Sequence, residues 1–351
     1  MPQTFETPAV LIDEAVAMRN IRAAQSRFDA LGVALRPHIK THKLIHFARA
    51  QIAAGARGIT CQKTSEAEVF ADAGFDDILI TYNIVGAAKC DRLRRIARKA
   101  RLSVVADGTT VAAGLSAAFR DEAAPLTVLV ECDTGGARCG VQSPERAAEL
   151  AGRIAALPGL AFGGLMTYPA PDSFERTEAF LSEARRLCLA AAGSCDVLTS
   201  GGTPSMKRFP QGSVVTEYRP GTYIYNDRSL VARGACAIAD CALTVAATVV
   251  SRPTSGRAIV DAGSKTLSSD LLGLTGYGML RDYPEATIAS LSEEHGVIDV
   301  SACPRKPEIG EVVAIIPNHA CVVTNLVDAV HLMRDGTVAR TMTVDARGRI
   351  A

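Results

Sequence analysis

Leu35-Arg36-Pro37-His38-Ile39-Lys40-Thr41-His42-Lys43 is the stretch on which the reading of this chain turns. An apolar run ends there in a lysine flanked at i−2 and i+2 by histidines, and a helix-like pattern begins near Lys43. Alternate residues of a strand share a face, so a strand over Ala34–Lys40 sets Arg36, His38, Lys40 and His42 on one side. If that strand is the first of a barrel, Lys40 sits at the C-terminal mouth, where such barrels keep their chemistry. A lysine in a crowded, cationic, partly desolvated setting loses proton affinity and serves as an amine nucleophile. The competing reading is an exposed lysine on a loop, and the spacing alone favours that plainer one.

Outward from this run, short β-rich segments alternate with longer amphipathic ones. Predicted strands are Ala34–Lys40, Gly58–Gln62, Asp77–Thr81, Leu102–Ala106, Leu126–Asp133, Ala161–Tyr168, Asp196–Ser200 and Val214–Tyr218. Between them lie helical patterns, among them Leu44–Ala54, Ser65–Ala73, Ala87–Lys99, Pro144–Ala156 and Phe174–Ala192. Eight strands with a helix after nearly every one predict an α/β fold of the (β/α)8, TIM-like kind. A doubly wound open sheet competes, but no Gly-rich dinucleotide fingerprint follows any strand. After about Tyr225 the texture changes. Val245–Val250, Ala258–Asp261, Val312–Ile316 and Val338–Val344 are β-rich with Gly and Pro turns, which predicts a C-terminal, mostly antiparallel β-domain. The expected division is 1–25 for an N-terminal strand (Ala9–Ile12) and the start of helix Glu14–Leu31, 26–230 for the barrel, and 231–351 for the β-domain.

Composition bounds the function classes. The 351 residues are 48% hydrophobic, 5% aromatic and carry 29 glycines, as an Ala/Val/Leu-rich α/β protein does. A formal charge of +1 predicts no bulk attraction to nucleic acid or membrane. The basic stretch Arg92–Arg101 alternates with apolar residues at helical spacing and reads as a solvated helix face. No secretory signal and no membrane-length apolar run is visible. Most of the ten cysteines, which have no paired spacings, then read as reduced, buried small hydrophobes, and the expectation is a cytoplasmic enzyme.

Two further constellations carry chemistry. Ser200-Gly201-Gly202-Thr203 follows the seventh predicted strand and Gly221-Thr222 the eighth. These are the loops where barrels hold phosphate, because glycine lets backbone N–H groups approach an anion. Tyr223 offers a hydroxyl donor or a core ring. In His319-Ala320-Cys321, i and i+2 at the end of a β run point the same way, so an imidazole and a thiolate can grip one ion. That donor pair favours zinc over magnesium or calcium, although a bare His-x-Cys is a weak signal. His295 reads as a turn residue or a substrate group, while His46 and His331 look helical or peripheral. Asp107, Asp227 and Asp261 read as caps.

The lysine run is similar to the lysine motif of fold-type III pyridoxal-phosphate enzymes of the D-threonine aldolase and D-serine dehydratase family. Later segments match in the same order: Glu131-Cys132-Asp133-Thr134-Gly135-Gly136-Ala137-Arg138-Cys139-Gly140, Ser200-Gly201-Gly202-Thr203-Pro204, Arg219-Pro220-Gly221-Thr222-Tyr223, Glu294-His295-Gly296, and Pro317-Asn318-His319-Ala320-Cys321 with Asn325 and Leu326. The resemblance implies an alanine-racemase-like barrel, the N-terminal strand pairing into the β-domain, and a homodimer. It implies pyridoxal 5'-phosphate on Lys40, with Gln62, Arg138, Tyr168, Ser200, Gly201, Gly202, Thr203, Gly221, Thr222 and Tyr223 around it. An arginine such as Arg138 facing the cofactor weakens the electron sink and so limits side reactions. It implies a catalytic divalent metal, zinc, manganese or magnesium, on His319 and Cys321.

The chain departs from many relatives at Pro169-Ala170-Pro171, where they carry a histidine or glycine soon after the tyrosine. The implied substrate is a small β-hydroxy-D-amino acid. One implied reaction is retro-aldol cleavage to glycine and an aldehyde, with His42 or a metal-bound water as base. The other is dehydration of D-serine, D-threonine or 3-hydroxy-D-aspartate, in which Lys40 takes the α-proton. A cysteine in the second metal position looks like D-serine dehydratase, whereas Leu165-Met166-Thr167-Tyr168-Pro169 looks closer to D-threonine aldolases. An amino-acid racemase would not need the metal pair, and a non-catalytic pyridoxal-phosphate carrier would lack the β-domain.

Overall fold

The structure is a computed structural model and describes residues 5–351. The chain divides into two compact units. Of the described residues, one comprises 23–40, 45–221 and 349–351; the other comprises 5–22, 41–44 and 222–348.

The larger unit is an eight-stranded parallel sheet. The chain first makes β1 (Ala9–Asp13) and α1 (Glu14–Leu31), which precede it. Its strands are β2 (Ala34–Leu35), β3 (Ile59–Cys61), β4 (Asp77–Asn83), β5 (Arg101–Ala106), β6 (Leu126–Cys132), β7 (Leu160–Thr167), β8 (Val197–Ser200) and β9 (Glu217–Tyr218). Helices α2 (Ile45–Ala53), α3 (Thr64–Asp72), α4 (Ala87–Ala97), α5 (Thr109–Phe119), α6 (Pro144–Ala156) and α7 (Phe174–Ala192) intervene. The strand order is β2-β9-β8-β7-β6-β5-β4-β3. Thr60 N donates to Pro37 O at 2.8 Å, and a His38–Thr60 bridge joins the two ends of the sheet into a barrel. Buried on both faces, the strands read as near-continuous apolar runs, as in Ile78-Leu79-Ile80 and Val128-Leu129-Val130.

A polar chain threads this apolar interior. Arg36 Nη1 lies 2.6 Å from Asp77 Oδ1, and its Nε lies 2.7 Å from Glu217 Oε2. Thr199 Oγ1 donates to Glu217 Oε1 at 2.8 Å, and Arg219 Nε donates to Thr199 Oγ1 at 2.8 Å. All five side chains are buried, so each charge needs the partner it has. The chain runs from the first residue of β4 to the residue after β9 and ends beneath the mouth.

The opening expectation needs correction. No strand spans Ala34–Lys40: β2 stops at Leu35, Pro37 can donate to no ladder, and Ile39–Thr41 forms a 3-10 turn. Lys43 then adopts φ 53°, and α2 begins two residues later. His38, Lys40 and His42 therefore do not share a strand face.

The smaller unit holds β1, β10 (Leu243–Thr254), β11 (Arg257–Val260), β12 (Gly278–Leu280), β13 (Thr287–Leu291), β14 (Gly296–Asp299), β15 (Val312–Pro317), β16 (Ala329–Arg334) and β17 (Thr337–Thr343). Short helices α8 (Arg228–Ala232), α9 (Ser264–Leu267) and α10 (Ala320–Leu326) connect them. The order is β13-β14-β11-β10-β1-β16-β17, with β15 on β10 and β12 on β15. β1 pairs antiparallel with β10 (Ala9 opposite Ala246) and parallel with β16 (Leu11 opposite His331), so the N-terminal strand is internal to this sheet. His331 lies in a strand rather than a helix, because Ala329–Arg334 alternates in burial and pairs on both sides, and its part-exposed side chain is peripheral as expected. Among the described residues no helix is long and apolar enough to cross a membrane.

Candidate active site

The side chains of interest in the larger unit stand at or just past the C-terminal ends of strands: Lys40 after β2, Gln62 after β3, Asn83 in β4, Asp107 after β5, Glu131 in β6, Tyr168 after β7, Ser200 in β8 and Arg219 after β9. That is where a barrel concentrates chemistry.

Around Lys40 the hydrogen bonds form one consistent set. Gln62 Nε2 donates to Thr81 O at 3.1 Å, which turns Oε1 toward Lys40 Nζ at 3.4 Å and His38 Nε2 at 3.0 Å. Lys40 N donates to His38 Nδ1 at 3.4 Å. His38 therefore carries its proton on Nε2 and accepts on Nδ1. Burial, with the charges of Lys40 and Arg219, holds its pKa well below the usual imidazole value. His42 is fully buried, with Nδ1 accepting from Leu44 N at 3.0 Å and its ring edge-on to Tyr225. It belongs to the stretch 41–44 of the other unit. The 3-10 turn and the positive φ at Lys43 thus take His42 off the face where a strand would have kept it.

Across the mouth, the exposed guanidinium of Arg138 stacks 4.7 Å from the ring centre of Tyr168. Asp133 instead accepts from Gly135 N and Ala137 N, so it shapes the loop that carries Arg138. Gly201 has φ +98°, and a Cβ there would meet the Tyr218 ring at 2.2 Å, so only glycine fits. Gly202 is extended beneath Tyr168 and opens the 3-10 turn Thr203–Arg208. Gly221 ends this unit, while Thr222 and the buried Tyr223 begin a 3-10 turn in the other.

Sequence reasoning gave no role to Arg219, Glu131, Asn83 or Asp270. Arg219 is fully buried, with Nη2 donating to Thr167 O. Burial lowers its pKa to about 10 despite Glu217 and Glu131. Burial raises Glu131 to about 7, with Asp107 adding to the shift and Arg138 opposing it. Asn83 Nδ2 donates to Glu131 Oε2 at 3.2 Å, and Asp107 accepts from Gly140 N. A single positional signal, a polar residue at a barrel strand's C-terminal end, would have found the first three.

In the smaller unit the chain turns out of β15 into α10 at His319, so His319 caps the helix and Cys321 lies in its first turn. Their opposition comes from that turn, where a shared strand face was expected. His319 Nδ1 lies 2.7 Å from Asp270 Oδ2. Cys321 Sγ lies 3.1 Å from Thr41 Oγ1 and 3.5 Å from Thr222 Oγ1. Burial pushes the Cys321 thiol up, but the hydrogen bond and charge of His319 outweigh it and leave its pKa lowered. Burial lowers His319, but Cys321, Asp270 and Asp227 together raise it to about 9. Asp227 caps α8 and also accepts from Ala320 N at 3.1 Å. His295 lies on the exposed β13–β14 turn against Ser292.

These donors fit the two groups that the sequence implies. The mouth of the larger unit offers a lysine amine oriented by an amide, the cations Arg138 and Arg219, and a glycine turn with no side chain in the way, which suits an anionic aromatic aldehyde. The imidazole and a thiol disposed to ionise suit a borderline-soft divalent cation taking the place of the imidazolium proton. Asp107, Glu131 and Cys139 also bring ligand atoms within 4.8 Å of one another. There Arg138 and Arg219 oppose a cation, and Asn83 and Gly140 already engage the carboxylates, so His319–Cys321 is the better metal candidate.

Comparison with known proteins identifies the family. Residues 12–229 match the alanine racemase N-terminal domain, and residues 242–333 match a serine dehydratase domain. The chain is 36% identical to a D-threonine aldolase of Arthrobacter sp., over 98% of this chain and 93% of that one. The chain belongs to the fold-type III pyridoxal-phosphate family. Within that family it is a pyridoxal-phosphate-dependent lyase with an alanine-racemase-like barrel and a β-domain.

A crystal structure of D-threonine aldolase from Filomicrobium marinum superposes with TM-score 0.88 at 32% identity, covering 99% of this chain and 96% of that one. The D-threo-3-hydroxyaspartate dehydratase of Delftia sp. is 34% identical over 91% of each chain. Its structure superposes with TM-score 0.86, covering 97% of each chain. It has also been solved as histidine-to-alanine and cysteine-to-alanine variants two positions apart, the latter in a metal-free form.

Proposed function

We propose that this family member cleaves β-hydroxy-D-amino acids by a retro-aldol reaction, with Lys40 holding pyridoxal phosphate and His319 and Cys321 holding a divalent metal. The observation that carries the reading is the amine of Lys40, presented by Gln62 at the barrel mouth among Arg138, Arg219 and the Gly201–Gly202 turn. The aldolases of Arthrobacter and Filomicrobium, each matched over nearly the whole chain, support the aldol choice.

Pyridoxal phosphate supplies an electron sink for the bonds at Cα, and the metal supplies a Lewis acid that acidifies the β-hydroxyl. Gln62 Oε1 holds Lys40 Nζ in place, and neutral His38 keeps a second positive charge away from it. Ser200, Gly201, Gly202, Thr203 and Gly221 would hold the phosphate through backbone N–H and hydroxyl groups. Thr222 stands beside Cys321, and Tyr223 is buried. The Arg138 guanidinium lies over the Tyr168 ring and would face the cofactor. His42 Nδ1 accepts from Leu44 N, so that nitrogen has no lone pair left to take the proton of the β-hydroxyl.

A second reading has its own observation. The histidine and cysteine two apart match the spacing of the residues replaced in the Delftia dehydratase, which favours dehydration with Lys40 Nζ accepting the α-proton. One incubation separates them. Metal-loaded enzyme with D-threonine is expected to yield glycine and acetaldehyde; 2-oxobutanoate and ammonia would establish dehydration instead.

A further inference from the structure

We infer that Asp270 is a positioning residue for the metal pair, fixing the tautomer and aim of His319 and thereby the affinity for a divalent cation. The inference rests on the reading that His319 and Cys321 bind metal. His319 Nδ1 and Asp270 Oδ2 are 2.7 Å apart. A carboxylate oxygen accepts, so a ring proton sits on Nδ1 and Nε2 is the nitrogen that a cation can take in place of its proton.

Asp270 lies in the irregular segment between α9 and β12, and two hydrogen bonds hold its backbone. Its own N–H donates to Ser268 Oγ at 3.0 Å. The Asn318 amide donates to Asp270 O at 3.1 Å and to Gly276 O at 2.8 Å. Arg228 Nη1 donates to Asn318 Oδ1 and to Gly276 O, each at 3.1 Å. The residue before His319 thus fastens both ends of the segment that orients His319. The Asp270–His319 pair itself does little for the fold. The Asp270 side chain is 43% exposed, and a pair this open adds little to stability. Its worth lies in direction, since carboxylates behind metal-bound histidines typically change affinity by about 10–100-fold.

The test uses the pyridoxal-phosphate-loaded enzyme, stripped with chelator and titrated with zinc by calorimetry. Asp270→Ala is expected to weaken zinc binding by about 10–100-fold. Asp270→Asn, which keeps an acceptor without the charge, is expected to fall between it and the parent. The melting temperature and the visible absorbance of the lysine-bound cofactor should stay at parental values in both. Parental zinc affinity in Asp270→Ala, or an equal loss in melting temperature and affinity in both variants, overturns the inference. If the parent and His319→Ala are equally indifferent to zinc, the metal reading itself fails, and this inference with it.

Discussion

Buried at the end of β6, the carboxyl of Glu131 titrates near neutrality because desolvation outweighs its cationic neighbours. Its folded pKa of about 7 lies above the unfolded value of about 4.3. Its favourable contribution is therefore complete below about pH 4 and disappears as pH rises through 7. Glu131→Gln should be more stable than the parent at pH 8 by about 2–3 kcal/mol, with the gap closing toward pH 4. Urea unfolding at both pH values measures it; a gap independent of pH would show that Glu131 does not titrate there. Gln62 invites a different substitution. Gln62→Glu places a carboxylate beside Lys40 Nζ and favours the charged amine. The pH at which the absorbance of the lysine-bound cofactor changes should rise, by about one unit or more. An unshifted titration would break the link between Gln62 and Lys40.

At the scale of elements, end signals decided what could be read. Helices α6 and α7 have the bounds the sequence predicts, since Ser143 caps an N-terminal proline in one and Gly193 adopts a left-handed C-cap after the other. The first barrel strand was misjudged because alternation at period two does not exclude a turn. Pro37 was the sign that the ladder stops, and the tertiary hydrogen bonds that end it, Thr60 N to Pro37 O and His38 N to Pro220 O, connect residues far apart in sequence. The candidate site divides in the same way. Lys40 and the glycine turns were legible as local motifs, whereas Asp270 meets His319 across 49 residues and has no local signature. The β8 turn makes a direct prediction. Gly201→Ala combines a left-handed backbone with a Cβ 2.2 Å from the Tyr218 ring. A loss of about 2–4 kcal/mol and poor cofactor retention are expected, read by thermal melting and dialysis. A parental melting temperature would mean that the turn rearranges freely.

For the molecule as a whole, the lysine proposed to hold the cofactor and the pair proposed to hold the metal belong to different units of the chain, so the two chemistries should fail separately. Lys40→Ala should abolish the visible cofactor absorbance and all turnover. Exhaustive chelation, or His319→Ala, should leave that absorbance intact and remove lyase activity by at least about 100-fold. Full activity after chelation would point to racemase-type chemistry without metal.

The place of β1 between β10 and β16 bears on how this architecture can be cut and recombined. A fragment starting at Thr222 would lack the strip that bridges those two strands and would expose both of their edges. The dehydratase-type half is therefore not a cassette. Any chimaera that exchanges it between relatives must carry the first 13 residues of the same donor, and grafts without them should aggregate.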